Sequence, residues 1–250
     1  MPDRLVVVIT GAGRGIGNAL AQTYLSRPNC TVVGTIRNHG APEVAELKAT
    51  SKGAGSELLL VGLESSSPAD ASHVVEEMTA AGIDHIDIVI ANAGVSPPVI
   101  PLETVEPGEV INTFNINTIG PLAIYQACYN LLKKSRNAKF VTISSAAGSI
   151  GAMEGNGAHV APAYSISKAA LNWVTLAAHC GNKWLTAFAV NPGLVGTDMG
   201  NKTAKYLGIE KAPYTKEYSA ERIINLIDNA SRESTSGKFL DAIRDKEIPW

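Results

Sequence analysis

LVVVITGAGRGIG, residues 5–17, is the stretch that decides the fold, because it joins a short apolar run to a glycine-rich turn. The β-branched residues of Leu5–Thr10 favour a strand that is buried on both faces of a parallel sheet. The glycines that follow permit a tight turn and let the backbone come close to a diphosphate. A helix predicted over Ile16–Ser26 would direct its N-terminal N–H groups at that diphosphate. Glycines alone also form ordinary turns, but between a strand and a helix they favour a dinucleotide site.

The rest of the chain repeats the alternation of strand and helix. Further strands are predicted at Thr31–Thr35, Leu58–Leu63, Ile86–Ala91, Phe140–Ser144 and Leu185–Asn191, with a last short edge strand in GKFLDA. Helices are predicted near Pro42–Thr50, over Pro68–Ala81 and Gly108–Lys134, from Ala161 onward, and over Asn201–Leu207 and Ser219–Ser231. This order predicts a single α/β domain over residues 1–250, a Rossmann-type doubly wound parallel sheet of about seven strands with helices on both faces.

The composition is typical of a soluble globular protein and narrows its partners. The 250 residues carry a net charge of -2 and no basic run, so nucleic acid is not expected as a partner. The first apolar run is too short for a signal peptide or a membrane span, and we expect a cytoplasmic protein without membrane attachment. Cys30, Cys128 and Cys180 are widely spaced, so buried thiols are expected rather than disulfides, and no metal site is predicted.

The segment APAYSISKAAL, residues 161–171, contains a candidate acid/base pair. Tyr164 and Lys168 are separated by one helical turn and would share one face of the predicted helix. A phenol titrates near pH ~10 in water, so it exchanges a proton at neutral pH only if a neighbouring charge, such as an ammonium, stabilises the phenolate. The alternative is an amphipathic helix with an exposed lysine and a half-buried tyrosine.

The residues after the second strand bear on the choice of cofactor. An acidic side chain there would bind the 2′-hydroxyl of an adenosine ribose, whereas a cation accommodates a 2′-phosphate. This chain has Ile36 and Arg37 at that place and a second cation, Arg14, in the glycine loop. NADP(H) is therefore expected over NAD(H), unless both arginines are simply solvated.

Two asparagines stand beside unusual backbone. Asn92 follows the fourth strand with Ala93 and Gly94, where either a turn or a ligand contact is expected. Pro121 interrupts the predicted long helix and gives no N–H to the carbonyl of Asn117, four residues back. That carbonyl could hold an ordered water, or the proline could mark only a packing kink.

These motifs, in this order and spacing, resemble those of the short-chain dehydrogenase/reductase family over essentially the whole chain. TGAGRGIG (Thr10–Gly17) is similar to the family's TGxxxGxG loop, ANAG (Ala91–Gly94) to its NNAG with the first Asn lost, and Tyr164 with Lys168 to its YxxxK pair. The resemblance implies catalytic roles for Asn117, Ser145, Tyr164 and Lys168. It implies cofactor contacts from Gly11, Arg14, Gly15, Ile16, Gly17, Arg37, Glu64, Asn92, Ala93, Gly94, Tyr164, Lys168, Pro192, Gly193, Val195 and Thr197.

Within the family, IANAG, SSAAGSIG and the GKF…IPW ending look most like the norsolorinic acid ketoreductase and sniffer-type carbonyl reductase branch. The resemblance implies an NADPH-dependent reductase that transfers hydride to a ketone or aldehyde, and an aromatic or polyketide-type ketone of secondary metabolism is expected. Tyr164 would protonate the alkoxide, Ser145 would hydrogen-bond it, and Lys168 would lower the tyrosine pKa and bind the nicotinamide ribose. Asn117 would hold a water in a proton relay. The alternatives are oxidation of a secondary alcohol and a non-catalytic NADP(H)-binding regulatory protein.

The chain also departs from the family pattern. Glu64 stands where many members have an aspartate that holds the adenine amino group. Ser145 and Tyr164 are farther apart than usual, which makes the Ser149–Pro162 loop a candidate wall of the substrate pocket. A substrate lid is expected over residues 194–218, and a homodimer or homotetramer through the helices that carry Asn117 and Tyr164. Apolar candidates for the pocket, each of which could instead be core, are Ile150, Met153, Leu194, Met199, Tyr206 and Tyr214.

Overall fold

The strands form a single sheet within residues 4–250, the part of the chain that a computed structural model describes, apart from the side chain of Pro68. They are β1 (Leu5–Ile9), β2 (Cys30–Ile36), β3 (Glu57–Gly62), β4 (Ile88–Ala91), β5 (Lys139–Ile143), β6 (Thr186–Asn191), β7 (Phe239–Asp241) and β8 (Lys246–Glu247). Residues 1–3 of the predicted 1–250 domain lie outside the described residues.

The α-helices alternate with the strands along most of the chain. They are α1 (Gly15–Leu25), α2 (Pro42–Ala49), α3 (Pro68–Ala80), α4 (Pro107–Phe114), α5 (Gly120–Leu132), α6 (Met153–Asn156), α7 (Pro162–Gly181), α8 (Asp198–Tyr206) and α9 (Lys216–Asp228). Pro42, Pro107 and Pro162 stand at the first helical positions of α2, α4 and α7, where a missing N–H costs nothing.

The strand order across the sheet is β3-β2-β1-β4-β5-β6-β7-β8, and every pairing is parallel except that of β7 with β8. The predicted doubly wound Rossmann-type sheet is therefore confirmed. The order reverses between β1 and β4, so the chain leaves these two neighbouring strands in opposite directions. In open α/β sheets this switch point creates the crevice in which ligands bind.

Two apolar layers enclose the sheet. Successive residues of a strand point to opposite faces, so Val7 and Ile9 pack in the layer that contains α1, α2 and α9. Val6 and Val8 pack in the opposite layer with α3, α5 and α7. Fully burying one such side chain contributes roughly 1.5–3 kcal/mol, which explains why the run LVVVI forms a strand covered on both sides.

The far end of the sheet differs from the prediction. The sheet has eight strands rather than about seven. The segment Phe239–Asp241 pairs with β6 on one side and with β8 on the other, so it is not the edge strand that the sequence predicted. Only two residues form β8, which is too short a strand for period-2 patterning to indicate.

The predicted helix over Gly108–Lys134 contains a change of geometry. It comprises α4, a π-helical turn (Asn115–Ile119) and α5. The Gly120 N–H donates to the carbonyl of Asn115, five residues back, as in a π-turn. Other predicted elements differ only at their ends; for example, α8 begins at Asp198 instead of Asn201.

The cysteines are only partly where they were expected. Cys30 and Cys128 are buried, but Cys180 near the end of α7 is exposed, so the expectation of a buried thiol there is wrong. No helix in the described part of the chain is long and apolar enough to cross a bilayer. Among the described side chains, no group of three or more His, Cys, Asp or Glu is arranged to hold a metal ion.

Candidate active site

A cavity of about 630 Å³ opens where the carboxyl ends of the strands meet the loops after β1 and β4. Many residues predicted to contact the cofactor line it: Gly11, Arg14, Gly15, Ile16, Arg37, Glu64, Asn92, Ala93, Gly94, Tyr164, Lys168, Pro192 and Thr197. Five predicted site residues lie outside this lining: Gly17, Asn117, Ser145, Gly193 and Val195. A cavity of this size, at this place in the sheet, fits an extended dinucleotide.

The glycine loop leaves room for a ligand because side chains are absent from it. Gly11 and Gly15 have φ angles of 70° and 59°, in the left-handed region that favours glycine. A Cβ at Gly17 would lie 2.3 Å from the carbonyl oxygen of Gly11 and 2.4 Å from Nδ2 of Asn92. Gly17 therefore allows α1 to pack against the loop, while Gly11 and Gly15 border the cavity. This cradle at the start of α1 fits a diphosphate.

Hydrogen bonds fix the ends of β1 and β4 to each other. The Thr10 hydroxyl accepts the N–H groups of Asn92 and Ala93, each at 3.0 Å. The Asn92 amide in turn donates to the Thr10 carbonyl at 2.9 Å. These bonds hold the Asn92–Gly94 wall of the cavity beside the glycine loop.

Three charged residues that line the cavity, Arg14, Arg37 and Glu64, are exposed. Arg37 lines the cavity and makes no ion pair with the described residues. Arg14 is paired with Asp198 across the cavity mouth, with 3.3 Å between Nη1 and Oδ2. Glu64 accepts hydrogen bonds from the backbone N–H and the hydroxyl of Ser66, at 3.4 and 3.3 Å. Arg37 is thus the cation most available to an anionic group in this part of the cavity.

Asn117 lies in the π-helical turn and is fully buried. Its amide oxygen accepts the Val95 N–H at 2.8 Å, and its amide nitrogen donates to the Val95 carbonyl at 2.8 Å and to the Ser167 hydroxyl at 3.0 Å. The next residue, Thr118, donates to the Ser167 carbonyl at 2.8 Å. Ser167 lies on α7 between Tyr164 and Lys168, so these bonds fasten the π-turn to the helix that carries the acid/base pair.

Tyr164, which lines the cavity, lies next to Ser145. The Ser145 side chain caps the short 3-10 turn that follows β5 by accepting the Ala147 N–H at 3.2 Å. It is also hydrogen-bonded to the Tyr164 phenol. Burial raises the pKa of the Tyr164 phenol above its ordinary value, and the hydrogen bond with Ser145 opposes that rise. The phenol is therefore protonated at neutral pH.

Lys168 is buried one turn after Tyr164. Its ammonium donates to the Ile143 carbonyl at 2.8 Å and lies 5.7 Å from the centre of the Tyr164 ring. Burial lowers the pKa of Lys168 to about 8. The rise in the Tyr164 pKa comes from burial, and the Lys168 ammonium is directed at the Ile143 carbonyl, so the expectation that Lys168 lowers the pKa of Tyr164 stays a prediction.

The loop after β6 brings Pro192 and Thr197 to the cavity. Gly193, with φ of 83°, turns the chain at a point where a Cβ would lie 2.7 Å from Cγ1 of Ile243. Val195 is buried and pairs with Tyr214 through a parallel bridge, and the Gly196 N–H donates to the Tyr214 carbonyl at 2.7 Å. Gly193 and Val195 therefore shape this loop from behind the cavity wall.

Sequence reasoning missed part of the lining. The unassigned residues are Gly13, Thr35, Asn38, Ala41, Glu43, Val44, Leu63, Ser65, Val95, Ile116, Ile143, Ser144, Gly196, Asp198, Asn201 and Lys216. Asn38 and Ser65 could have been found, because they follow the carboxyl ends of β2 and β3. Lys216 starts α9 just after the Val195–Tyr214 bridge, a tertiary contact that leaves no local signal in the sequence.

The apolar residues proposed for the substrate side are not in the buried core. Met199 lines the cavity, and Leu194 and Tyr214 are half-buried near it. Ile150, Met153 and Tyr206 are exposed. The alternative that these side chains form core is therefore wrong.

Comparisons with known proteins agree along the length of the chain. A sequence model described as "short chain dehydrogenase" matches residues 5–207. The chain is 46% identical to short-chain dehydrogenase srdF of Neurospora crassa, covering 99% of this chain and 98% of that protein. It is 36% identical to the norsolorinic acid ketoreductase of Aspergillus parasiticus, covering 100% of this chain and 92% of that protein.

Solved structures share the same fold. The NADPH-bound carbonyl reductase from chicken fatty liver aligns with a TM-score of 0.85 at 27% identity, covering 99% of this chain and 100% of that chain. The carbonyl reductase Sniffer of D. melanogaster aligns with a TM-score of 0.84 at 24% identity, with the same coverage of 99% and 100%. At that lower identity the likeness concerns the fold alone.

Proposed function

This chain belongs to the short-chain dehydrogenase family, and on that premise we propose that it is an NADPH-dependent carbonyl reductase. Its substrate class is a ketone or aldehyde, with an aromatic or polyketide-type ketone of secondary metabolism as the first choice. The observation that carries the proposal is that Tyr164 and Lys168 line one end of a dinucleotide-sized cavity and that Ser145 lies next to the Tyr164 phenol.

The protonation states suit reduction. The raised pKa of Tyr164 keeps its phenol protonated, so Tyr164 can give a proton to the oxygen of a carbonyl as that oxygen becomes an alkoxide. Ser145, hydrogen-bonded to the phenol, would donate to the same oxygen and stabilise the charge that develops there. When bound, NADPH supplies the hydride that no side chain can provide.

Lys168 and Asn117 would support this proton transfer. A cationic Lys168 would stabilise the phenolate left after Tyr164 has given up its proton, and it would bind the nicotinamide ribose. The side chain of Asn117 is committed to Val95 and Ser167. Its part is therefore to position α7, while its backbone carbonyl, which Pro121 cannot pair with, is the proposed place for a relay water.

Arg37 favours NADPH over NADH. It is exposed at the cavity after β2 and has no acidic partner among the described residues, whereas an acid would be needed there to bind a free 2′-hydroxyl. Arg14 would give a second cation if its pairing with Asp198 is exchanged for a phosphate. The chicken carbonyl reductase, whose structure was solved with NADPH, supports the same preference.

The proposal also covers the lid, the oligomeric state and the cellular location of the protein. Residues 194–218 would serve as a substrate lid, since Met199 within them lines the cavity. Ile166 and Trp173 on α7 are exposed apolar side chains, which supports a homodimer or homotetramer through the helices that carry Asn117 and Tyr164. We propose a cytoplasmic enzyme that acts on small molecules and has no membrane or nucleic-acid partner.

The test is turnover of a carbonyl panel. Aromatic and aliphatic ketones, quinones and aldehydes would be offered with NADPH and with NADH, and loss of the reduced-nicotinamide absorbance would be followed. We expect turnover with NADPH favoured. Preference for NADH would contradict the role of Arg37, and turnover only of secondary alcohols with NADP⁺ would reverse the direction. NADPH binding without any turnover would favour a regulatory protein that binds the cofactor.

A further inference from the structure

The last residues of the sequence, Ile248-Pro249-Trp250, cross the loop that joins Ser145 to Tyr164. We call residues 149–160 the connecting loop and residues 248–250 the tail. The Ser149 hydroxyl donates to the Pro249 carbonyl at 2.5 Å, and the Gly151 N–H donates to the backbone oxygen of Trp250 at 2.8 Å. These two bonds attach the tail to the start of the connecting loop.

The contact between tail and loop is close and partly buried. Ser149 is fully buried, and its hydroxyl also accepts the Ala152 N–H at 3.0 Å. A Cβ at Gly151 would lie 3.2 Å from both Cβ of Pro249 and the backbone oxygen of Trp250. The Ser149 hydroxyl therefore has two hydrogen-bond partners inside the protein. Replacing Ser149 by alanine would leave the Pro249 carbonyl without its donor.

The tail itself is held by the end of the sheet. The Ile248 N–H donates to the Phe239 carbonyl at 2.8 Å, which extends the pairing of β7 with β8. The Trp250 ring stacks on the Phe239 ring, with 5.7 Å between centroids and 23° between planes. Phe239 and Ile248 are buried together with Ala189, and Trp250 and Ala146 pack against them. The tail thus connects the sheet to Ala146, the neighbour of Ser145.

A second set of hydrogen bonds links β7 to Ala146. The Asp241 carboxylate of β7 accepts the Asn191 amide at 3.2 Å, and the Asn191 amide oxygen accepts the Ala146 N–H at 3.1 Å. Farther along, the Asn156 amide of the connecting loop donates to the Ala146 carbonyl at 3.0 Å. The backbone beside Ser145 is consequently set by β7, by the tail and by the connecting loop at once.

We propose that the tail is a positioning element that fixes the connecting loop and thereby determines which carbonyl substrates fit beside Ser145 and Tyr164. The effect on substrate choice rests on the proposed reductase function, whereas the restraint of the connecting loop by the tail does not. Trp250 and Ser149 are positioning residues in this scheme, because they act on the loop and neither lines the cavity. Cofactor binding in the cavity, which neither residue lines, should not depend on them.

The experiment compares Trp250→Ala, Trp250→Phe and Ser149→Ala in the full chain. Hydrogen exchange of the connecting loop measures the restraint directly, and we expect at least about fivefold faster exchange in Trp250→Ala and Ser149→Ala. Trp250→Phe keeps an aromatic ring for stacking on Phe239 and should restore slow exchange. Ser26→Ala, which loses an exposed hydroxyl that donates to the Thr23 carbonyl just after α1, is the matched control for Ser149.

Steady-state kinetics tests the effect of the tail on the choice of substrate. In Trp250→Ala we expect KM for a bulky aromatic ketone to rise about fivefold or more, with a smaller change for a small aliphatic ketone and an unchanged Kd for NADPH. Unchanged loop exchange in both alanine variants would overturn the proposal, as would faster exchange with unaltered relative KM values. If the wild-type protein turns over no carbonyl, the reductase proposal fails while the exchange experiment still decides whether the tail restrains the loop. If Trp250→Ala does not fold, Ser149→Ala supplies both readouts.

Discussion

The first βαβ unit, β1–α1–β2, and the π-turn with α7 build opposite ends of the same cavity by different means. Within the described residues, the buried side-chain polar atoms without a hydrogen-bond partner are the Tyr24 hydroxyl and the Thr31 hydroxyl, both in the first unit. At the other end, Asn117, Ser167 and Lys168 are buried and hydrogen-bonded. The first unit forms its part of the site with backbone and glycines, whereas the other end uses a side-chain network. Substitutions that remove a polar side chain should therefore be more damaging at the second end.

The largest effect should come from Tyr164→Phe. Removing the hydroxyl takes away the proposed proton donor, and we expect turnover to fall by at least about a thousandfold. NADPH binding, measured by nicotinamide fluorescence, should change little, because the ring and Lys168 stay in place. Substantial turnover in this variant would show that another group protonates the product.

Asn117→Ala should be the most destabilising change in the network. It leaves the N–H and carbonyl of Val95 without their partner and removes one of the two hydrogen bonds of the Ser167 hydroxyl, and we expect a loss of roughly 2–4 kcal/mol in the free energy of unfolding. Urea denaturation would measure it, with Asn112→Ala, at an exposed position of α4, as the control. Equal stabilities of the two variants would contradict the idea that the π-turn is held by this side chain.

The pH dependence of reduction should report Lys168. Since burial lowers the pKa of Lys168 to about 8, the ammonium loses its proton as the pH rises through that value. The raised pKa keeps Tyr164 protonated over the same range. We expect kcat/KM for reduction to fall above pH about 8, approaching tenfold per pH unit. A flat profile up to pH about 10 would mean that the charge of Lys168 is not needed.

Arg37→Ala tests the exposed end of the cavity. Loss of one charge-assisted contact to a 2′-phosphate should raise KM for NADPH by roughly tenfold and leave KM for NADH nearly unchanged. Arg4→Ala, which removes a cation paired with Glu57 instead of one lining the cavity, is the matched control. A parallel rise for both cofactors would indicate that Arg37 does not distinguish them.

The smallest effect is expected for Tyr24→Phe. The Tyr24 hydroxyl is buried without a partner, so its removal relieves a desolvated polar group. We expect stability to be unchanged or increased by up to about 1 kcal/mol. A clear loss of stability on thermal or urea unfolding would show that this hydroxyl has a partner after all, and the contrast between the two ends of the cavity would weaken.

The sequence predicted most where function depends on residues close together in the chain. The strand, glycine loop and helix of residues 5–25 and the Tyr164–Lys168 pair are local patterns, and the structure places them where they were expected. Asn201 and Lys216 reach the cavity because Val195 pairs with Tyr214. Such a pairing joins residues distant in sequence, and neither hydrophobic periodicity nor turn chemistry predicts it.

Energetic detail was harder to predict than position. Spacing placed Lys168 next to Tyr164, but it did not reveal that the ammonium donates to the Ile143 carbonyl or that burial dominates the pKa values of both groups. Pro121 indicated an irregular helix, yet the side-chain bonds of Asn117 depend on Val95 and Ser167, which lie on other segments. Burial and partners are properties of the assembled layers and are not encoded at any single position.

The π-turn has a consequence for how the chain tolerates insertions and deletions. Each helical residue advances the side chains by about 100° around the axis. The extra residue of a π-turn therefore rotates all later side chains of the helix relative to those before the turn. In this chain α4, before the π-turn, packs against α7, and α5, after the π-turn, packs against α3. Deleting one residue from Asn115–Ile119 would leave a more regular helix whose two halves could no longer face both neighbours.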